Sequence, residues 1–177
     1  MSNDRVRQWA VDHLGQQVGD GECFALVDQA LRNSGDKSAA DFGQVGPNVD
    51  YVWGTATTLA SLRPGDLIQF RNYRVRVVTV TVRRTTLPDG GWDESTQTQE
   101  RTDTRPHHSA IVDAVGSGGE VTVLEQNVGG VRRVQRNTLT FSGSTNTTST
   151  TAGNVTTTVT RTVTVSGTLR YYRPVAR

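Results

Sequence analysis

The threonine-rich segment 138–168 restricts the folds open to this chain more than any other stretch of its sequence. It holds fourteen threonines and a single charged residue, Arg161. Threonine is β-branched and favours extended backbone, so the segment predicts strands, although it offers little apolar surface to bury. We interpret it as a long hairpin that turns within 142–154 and returns over 155–165. Disorder at the hairpin tip is the alternative interpretation.

The composition predicts one domain with an unusually polar surface. Apolar residues make up 34% of the 177 residues and the mean hydropathy is −0.47, but the length is sufficient for a single core, so we treat 1–177 as one domain. The net charge of +2 is mild and does not indicate a nucleic-acid partner. No apolar run approaches the roughly 20 residues that span a bilayer, and the N-terminus lacks the apolar core of a signal peptide. We therefore expect a protein that is cytoplasmic as made, or one exported by a signal-independent route.

The only cysteine, Cys23, follows a glycine-containing loop and opens a helix predicted over 22–33. A helix N-terminus carries unpaired N–H groups and a partial positive charge, which favour the thiolate. Cys23 is therefore a candidate nucleophile, and a small buried hydrophobe is the alternative. Glu22 suits a helix start, but its charge would raise the thiol pKa. One cysteine forms no internal disulfide, and the spacing of cysteine and histidine suits no zinc site, so we expect neither metal nor cofactor.

A short hairpin predicted over 109–124 brings further polar groups together. Its strands, 109–115 and 120–124, flank a Ser-Gly-Gly turn, so His108 and Glu125 are expected side by side in an antiparallel pair. Asn127 would share the face of Glu125 if the second strand continued. A thiol, an imidazole and polar orienting groups are the parts of a cysteine hydrolase.

The remaining pattern predicts an α+β fold. A first helix is expected over 4–14, a Pro-Gly-Asp turn leads into a strand over 67–70, and alternation over 74–86 predicts a second long hairpin that returns over 95–104. A final short strand is expected at 171–173.

Four motifs in this order resemble the CHAP branch of the NlpC/P60 cysteine hydrolases: Gly21-x-Cys23, Leu62-x-Pro64-Gly65-Asp66-Leu67-Ile68-x-Phe70, His108-x-Ala110-Ile111-Val112 and Glu125-Gln126-Asn127. The resemblance covers roughly 4–72 and 106–137, together with the C-terminal strand. It implies a papain-like α+β fold in which N-terminal helices pack on an antiparallel sheet. The segments at about 73–105 and 138–168 would then be two extended hairpin insertions.

The resemblance also implies roles for individual residues. Cys23 would be the nucleophile, His108 the general base and Glu125 the group that orients the imidazole, with Asn127 as a further polar group. His107 is the less favoured alternative to His108. Gln17 is a candidate second donor to the oxyanion beside the Cys23 N–H, and Gln16 is an equal alternative.

Family members are mostly amidases or endopeptidases that act on bacterial peptidoglycan, and some cleave glutathionyl-polyamine amides. We therefore expect a cell-wall hydrolase, and an exported antibacterial effector with an immunity or delivery protein is compatible with this. The alternative is a papain-like scaffold that binds a partner or a surface through its threonine-rich hairpins, whose open edges favour strand pairing. Basic residues at 132, 133 and 136 either form a solvated face or bind carboxylates of a peptide stem.

Overall fold

The computed structural model describes residues 2–177 and has an α+β architecture dominated by one antiparallel sheet. Two α-helices come first, α1 Ser2–Asp12 and α2 Cys23–Asn33, and the strands follow as β1 Thr55–Thr57, β2 Leu67–Thr86, β3 Trp92–Val115, β4 Glu120–Glu125, β5 Gln135–Thr140, β6 Ser144–Ala152 and β7 Val155–Arg173. The seven strands form one sheet in the order β1-β7-β2-β3-β4-β5, with β6 paired to β7. Two short 3-10 helices lie at Ala39–Asp41 and Leu59–Ser61.

Several predicted strands are parts of longer ones. The expected strands at 67–70 and 74–86 are both within β2, and the expected final strand at 171–173 is the end of β7. Asn72 has a positive φ of 53°, which is a local irregularity rather than an end of β2. The predicted breaks between strands therefore correspond to irregular points within longer strands.

The chain divides into two compact units, and the apolar core lies in the first. That unit consists of the stretch ending at Tyr73 together with 105–141 and 167–177. Helical spacing places apolar side chains of both helices on one face, which packs on the first unit's strands. Fully buried members of this core include Val6, Ala10, Leu26, Leu31, Trp53, Leu67, Ile111 and Leu124.

The Pro-Gly-Asp turn joins distant parts of the first unit. Gly65 has a φ of 83°, and a Cβ there would lie 2.1 Å from the Asn3 carbonyl oxygen, so only glycine fits. Asp66 is fully buried and accepts hydrogen bonds from the Arg173 guanidinium and from the Asn3 amide. The turn thereby ties α1 and the end of β7 to the start of β2.

The second unit, 74–104 with 142–166, contains a long regular hairpin. Strands β6 and β7 pair without interruption from Ser144 opposite Val163 to Ala152 opposite Val155, so the threonine-rich segment forms the predicted hairpin rather than a disordered tip. Hydroxyls face each other across the strands at 2.9–3.1 Å in three pairs: Thr147 with Thr160, Ser149 with Thr158, and Thr151 with Thr156. We call this row the hydroxyl ladder.

Candidate active site

Cys23 is the first residue of α2 and is partly buried. Glu22 precedes it in extended conformation, and its side chain does not cap the helix. Gly21 has a φ of 86°, and a Cβ there would lie 3.0–3.2 Å from the side chains of Arg132 and Gln17. A glycine at this point lets the loop turn sharply and places the thiol at the positive end of the helix.

The His108 side chain and the backbone of Ser109 both influence the pKa of the Cys23 thiol. Burial by itself raises the pKa of the Cys23 thiol. The polar interaction with His108 and its charge, together with the Ser109 backbone, outweigh burial and bring that pKa below its ordinary value. The charge of Glu22 opposes this, as the sequence predicted, but its effect is smaller. The site therefore favours a thiolate.

His108 is itself buried, with 5% of its surface exposed, and its Nε2 lies 2.9 Å from Oε2 of Glu125. Since Nε2 contacts Glu125, Nδ1 is the ring nitrogen left for Cys23. Burial lowers the pKa of the imidazole, but its interactions with Cys23 and Glu125 and their charges raise that pKa to about 9. The geometry thus favours an imidazolium beside a thiolate.

Glu125 ends β4 and is completely buried among donors. Arg105 forms a fork with it, Nε to Oε2 at 2.9 Å and Nη2 to Oε1 at 2.7 Å, and Asn137 donates to Oε1 at 2.8 Å. Burial raises the pKa of this carboxyl, but the bonds from Arg105 and then His108 dominate and lower that pKa to about 2. Glu125 is therefore a fixed carboxylate that orients the His108 ring.

Arg105 and Asn137 were not predicted from the sequence. Arg105 lies three residues before His108 on β3, a spacing that in a regular strand would put the two on opposite faces. Asn137 lies on β5, opposite Val123 of β4. Only the register of three adjacent strands brings both to Glu125, and no local sequence signal reports it.

Asn127 lies beyond the end of β4, so the condition under which it would share the face of Glu125 is not met. Strand β4 ends at Glu125, and Asn127 has a positive φ of 62°. Its amide donates to Oε2 of Glu22 at 2.6 Å, and Arg132 contacts Oε1 of Glu22 at 2.9 Å. Asn127 therefore contacts the residue beside the thiol rather than sharing a face with Glu125.

The two glutamines near the thiol have different contacts. Gln17 is exposed, and its amide donates to the Gly19 carbonyl at 3.4 Å. Gln126, which sequence analysis named only as part of a motif, is buried and bonds to both the N–H and the carbonyl of Val18 and to the Glu22 carbonyl, at 2.8–2.9 Å. Gln126 thereby fixes the loop that carries Cys23.

A cavity of about 480 Å³ opens beside Cys23. Its lining includes Phe24, Val45, Pro47, Tyr51 and His107. His107 Nε2 donates to the Val49 carbonyl at 2.8 Å. Of the two adjacent histidines, His108 contacts the thiol and His107 holds the cavity wall.

Within residues 2–177, no group of three or more histidine, cysteine, aspartate or glutamate side chains is arranged to hold a metal ion. Neither helix of the described chain is long and apolar enough to cross a membrane.

The helices, the antiparallel sheet and the thiol–imidazole–carboxylate arrangement define a cysteine-proteinase fold. The family model described as the AIM3/BBC1 cysteine proteinase-fold domain matches residues 3–145, and the chain belongs to this family. None of the curated proteins and none of the solved structures matches it. The match supports the papain-like expectation at the level of the fold and does not extend to CHAP or NlpC/P60 hydrolases in particular.

Proposed function

We propose that this protein is a thiol-dependent hydrolase of amide bonds. The observation that carries the proposal is the hydrogen-bonded arrangement of His108, Glu125 and Arg105, with His108 lowering the pKa of the Cys23 thiol beside it. The pKa of the Cys23 thiol is lowered and the pKa of the His108 imidazole is raised. Both shifts favour a thiolate nucleophile beside a protonated imidazole, which the proposed chemistry needs.

In the proposed reaction, the Cys23 sulfur attacks the amide carbonyl carbon and forms a tetrahedral adduct. The His108 imidazolium then gives its proton to the leaving nitrogen, so an amine departs and a thioester remains. Water attacks the thioester while neutral His108 accepts its proton. The acid leaves, and the thiolate–imidazolium pair is restored.

Glu125 would stabilise the imidazolium throughout, and Arg105 and Asn137 would keep that carboxylate ionised and oriented. The Cys23 N–H, at the helix start, is the proposed donor to the oxyanion. Gln17 stays a candidate second donor, which requires its amide to leave the Gly19 carbonyl. Asn127 would act by restraining Glu22 next to the thiol.

The substrate class follows from two different likenesses. The motifs shared with CHAP hydrolases favour an amide bond of peptidoglycan, with a glutathionyl-polyamine as the alternative. The cysteine-proteinase-fold match favours peptide bonds generally. If peptidoglycan is the substrate, an immunity or delivery protein is a proposed partner.

The test compares the wild type with Cys23→Ala and His108→Gln on purified peptidoglycan and on a mixed peptide library, with products identified by mass spectrometry. We expect Cys23→Ala to abolish cleavage and His108→Gln to reduce its rate by at least about 10³-fold. His13→Gln is the matched control, because His13 directly follows α1 and contacts the Trp9 carbonyl. Equal products from the wild type and Cys23→Ala, or none from a folded wild type, would contradict the proposal.

A second candidate function is strand pairing with a partner through β6. All nine residues of β6 are exposed and uncharged, and charge is one of the usual protections of an edge strand. Removal of 142–154 separates the two candidates: loss of partner capture with hydrolysis intact supports pairing, and unchanged capture argues against it.

A further inference from the structure

We propose that the cavity beside Cys23 is a subsite for a bulky, uncharged apolar side chain next to the scissile bond, and that it disfavours anionic groups. This inference rests on the proposed function, since it concerns the substrate of the same thiol. It selects peptide-like substrates with aromatic or branched apolar side chains over substrates whose carboxylate lies next to the scissile bond.

The cavity has an aromatic wall. The rings of Phe24 and Tyr51 meet edge to face with centroids 4.9 Å apart. The lining also includes Val45, which is 46% exposed, and Pro47. An apolar group entering this space would cover aliphatic and aromatic surface that is now in water, which is favourable in proportion to the area removed.

Internal hydrogen bonds hold this wall in place. The Tyr51 hydroxyl donates to the Gly46 carbonyl at 2.7 Å, and His107 donates to the Val49 carbonyl at 2.8 Å. The His107 and Tyr51 rings are themselves 5.6 Å apart. Two side chains thus fix the segment 45–49 beside the thiol, so binding there orders little new backbone.

Charge at the cavity favours a neutral or cationic group. Asp20 and Glu22 lie in the lining, and no lysine or arginine among the described residues does. Arg132 and Asn127 contact Glu22, whereas the described contact of the Asp20 carboxylate is the Glu22 backbone N–H at 2.9 Å. An incoming carboxylate would meet this acidic rim, and the neighbouring Arg132 is already paired with Glu22.

The test uses Cys23 as its own reporter, because it is the chain's single cysteine. The rate of Cys23 alkylation by iodoacetamide, N-benzyl iodoacetamide and iodoacetate is followed by intact-mass spectrometry. Each rate is divided by the rate at which the same reagent alkylates glutathione, which corrects for the reactivity of the reagent itself. We expect the benzyl reagent to be favoured over iodoacetamide by about tenfold or more, and iodoacetate to be disfavoured by about tenfold. Equal normalised rates for all three reagents would overturn the inference.

A matched pair of variants tests whether this cavity is responsible. Val45→Asp places a charge in the wall and should remove the benzyl preference. Val115→Asp alters a valine of similar exposure, 44%, outside the lining and should keep it. Equal benzyl preference in the two variants would contradict the assignment.

The same data separate the subsite from the proposed function. If iodoacetamide alkylates Cys23 rapidly at pH 6 in a way that depends on His108, but the three reagents show no difference in normalised rate, only the subsite is contradicted. If Cys23 is alkylated at pH 6 no faster than glutathione, and His108→Gln does not change the rate, the activated thiolate of the proposed function is contradicted. The ratio between reagents remains measurable in either case.

Discussion

The two units each contain an arginine–glutamate fork of nearly the same geometry in very different surroundings. Arg105 and Glu125 in the first unit are joined at 2.7 and 2.9 Å, and Arg76 and Glu100 in the second at 2.6 and 2.7 Å. The side chains of the first pair are 5% and 0% exposed, and those of the second are 47% and 44% exposed. Both glutamates have a lowered pKa, with the arginine bond as a cause.

Burial, rather than contact distance, separates the two forks. Solvent screens the exposed pair, and ordering two long side chains offsets much of its attraction. The buried pair cannot be separated without leaving a charge away from water. The first unit therefore has a permanent carboxylate next to His108, whereas the second has a solvated surface contact.

The largest difference is expected when each arginine is removed. Arg105→Ala leaves Glu125 buried with one cationic partner fewer, so the free energy of unfolding should fall by about 3–5 kcal/mol. Arg76→Ala should change it little, and less still in high salt. Urea denaturation at low and high salt measures both, and equal losses would refute the role given to burial.

The pH dependence of stability sharpens the same contrast. The pKa of Glu125 is lowered to about 2, so its contribution is present above its ordinary value of 4.5 and is lost as pH falls towards 2. The pKa of His108 is raised to about 9, so its contribution is present below 6.5 and is lost as pH rises through 9. We therefore expect the free energy of unfolding to reach a plateau between about pH 4.5 and 6.5. Chemical denaturation should show a loss of a few kcal/mol on the acid side of this plateau.

Glutamine variants provide the control for this profile. Glu125→Gln should flatten the acid side, because the group that gains a proton is gone, while Glu100→Gln should leave the profile almost unchanged. An acid-side loss that persists in Glu125→Gln would assign it to other carboxyl groups.

The smallest effect is expected from exchanging valine and threonine, which have similar shapes. Thr160→Val removes one rung of the hydroxyl ladder and should cost about 0.5 kcal/mol. Val123→Thr puts a hydroxyl at a fully buried position of β4 and should cost about 1–3 kcal/mol. Thermal unfolding followed by circular dichroism compares them, and a larger loss for Thr160→Val would reverse our view of the second unit.

Local patterns in the sequence were informative where the physics is local. Helical spacing and the glycine loop predicted a helix starting beside Cys23, and a tight turn between short apolar strands predicted that His108 and Glu125 would meet. Asn127 was expected on the face of Glu125 only if the strand continued, and this residue, with its positive φ, lies beyond the end of β4. Arg105 and Asn137 reach Glu125 through pairings between strands, which depend on register and not on neighbouring residues.

The solitary thiol has a consequence for damage by oxidants. Peroxide converts a reactive thiolate to a sulfenic acid, which many proteins rescue by forming a disulfide with a second cysteine. The sequence contains no second cysteine, so an oxidised Cys23 can be recovered only by a thiol from another molecule. Its redox state therefore depends on the low-molecular-weight thiols of its surroundings, and without them oxidation would proceed to the irreversible acids.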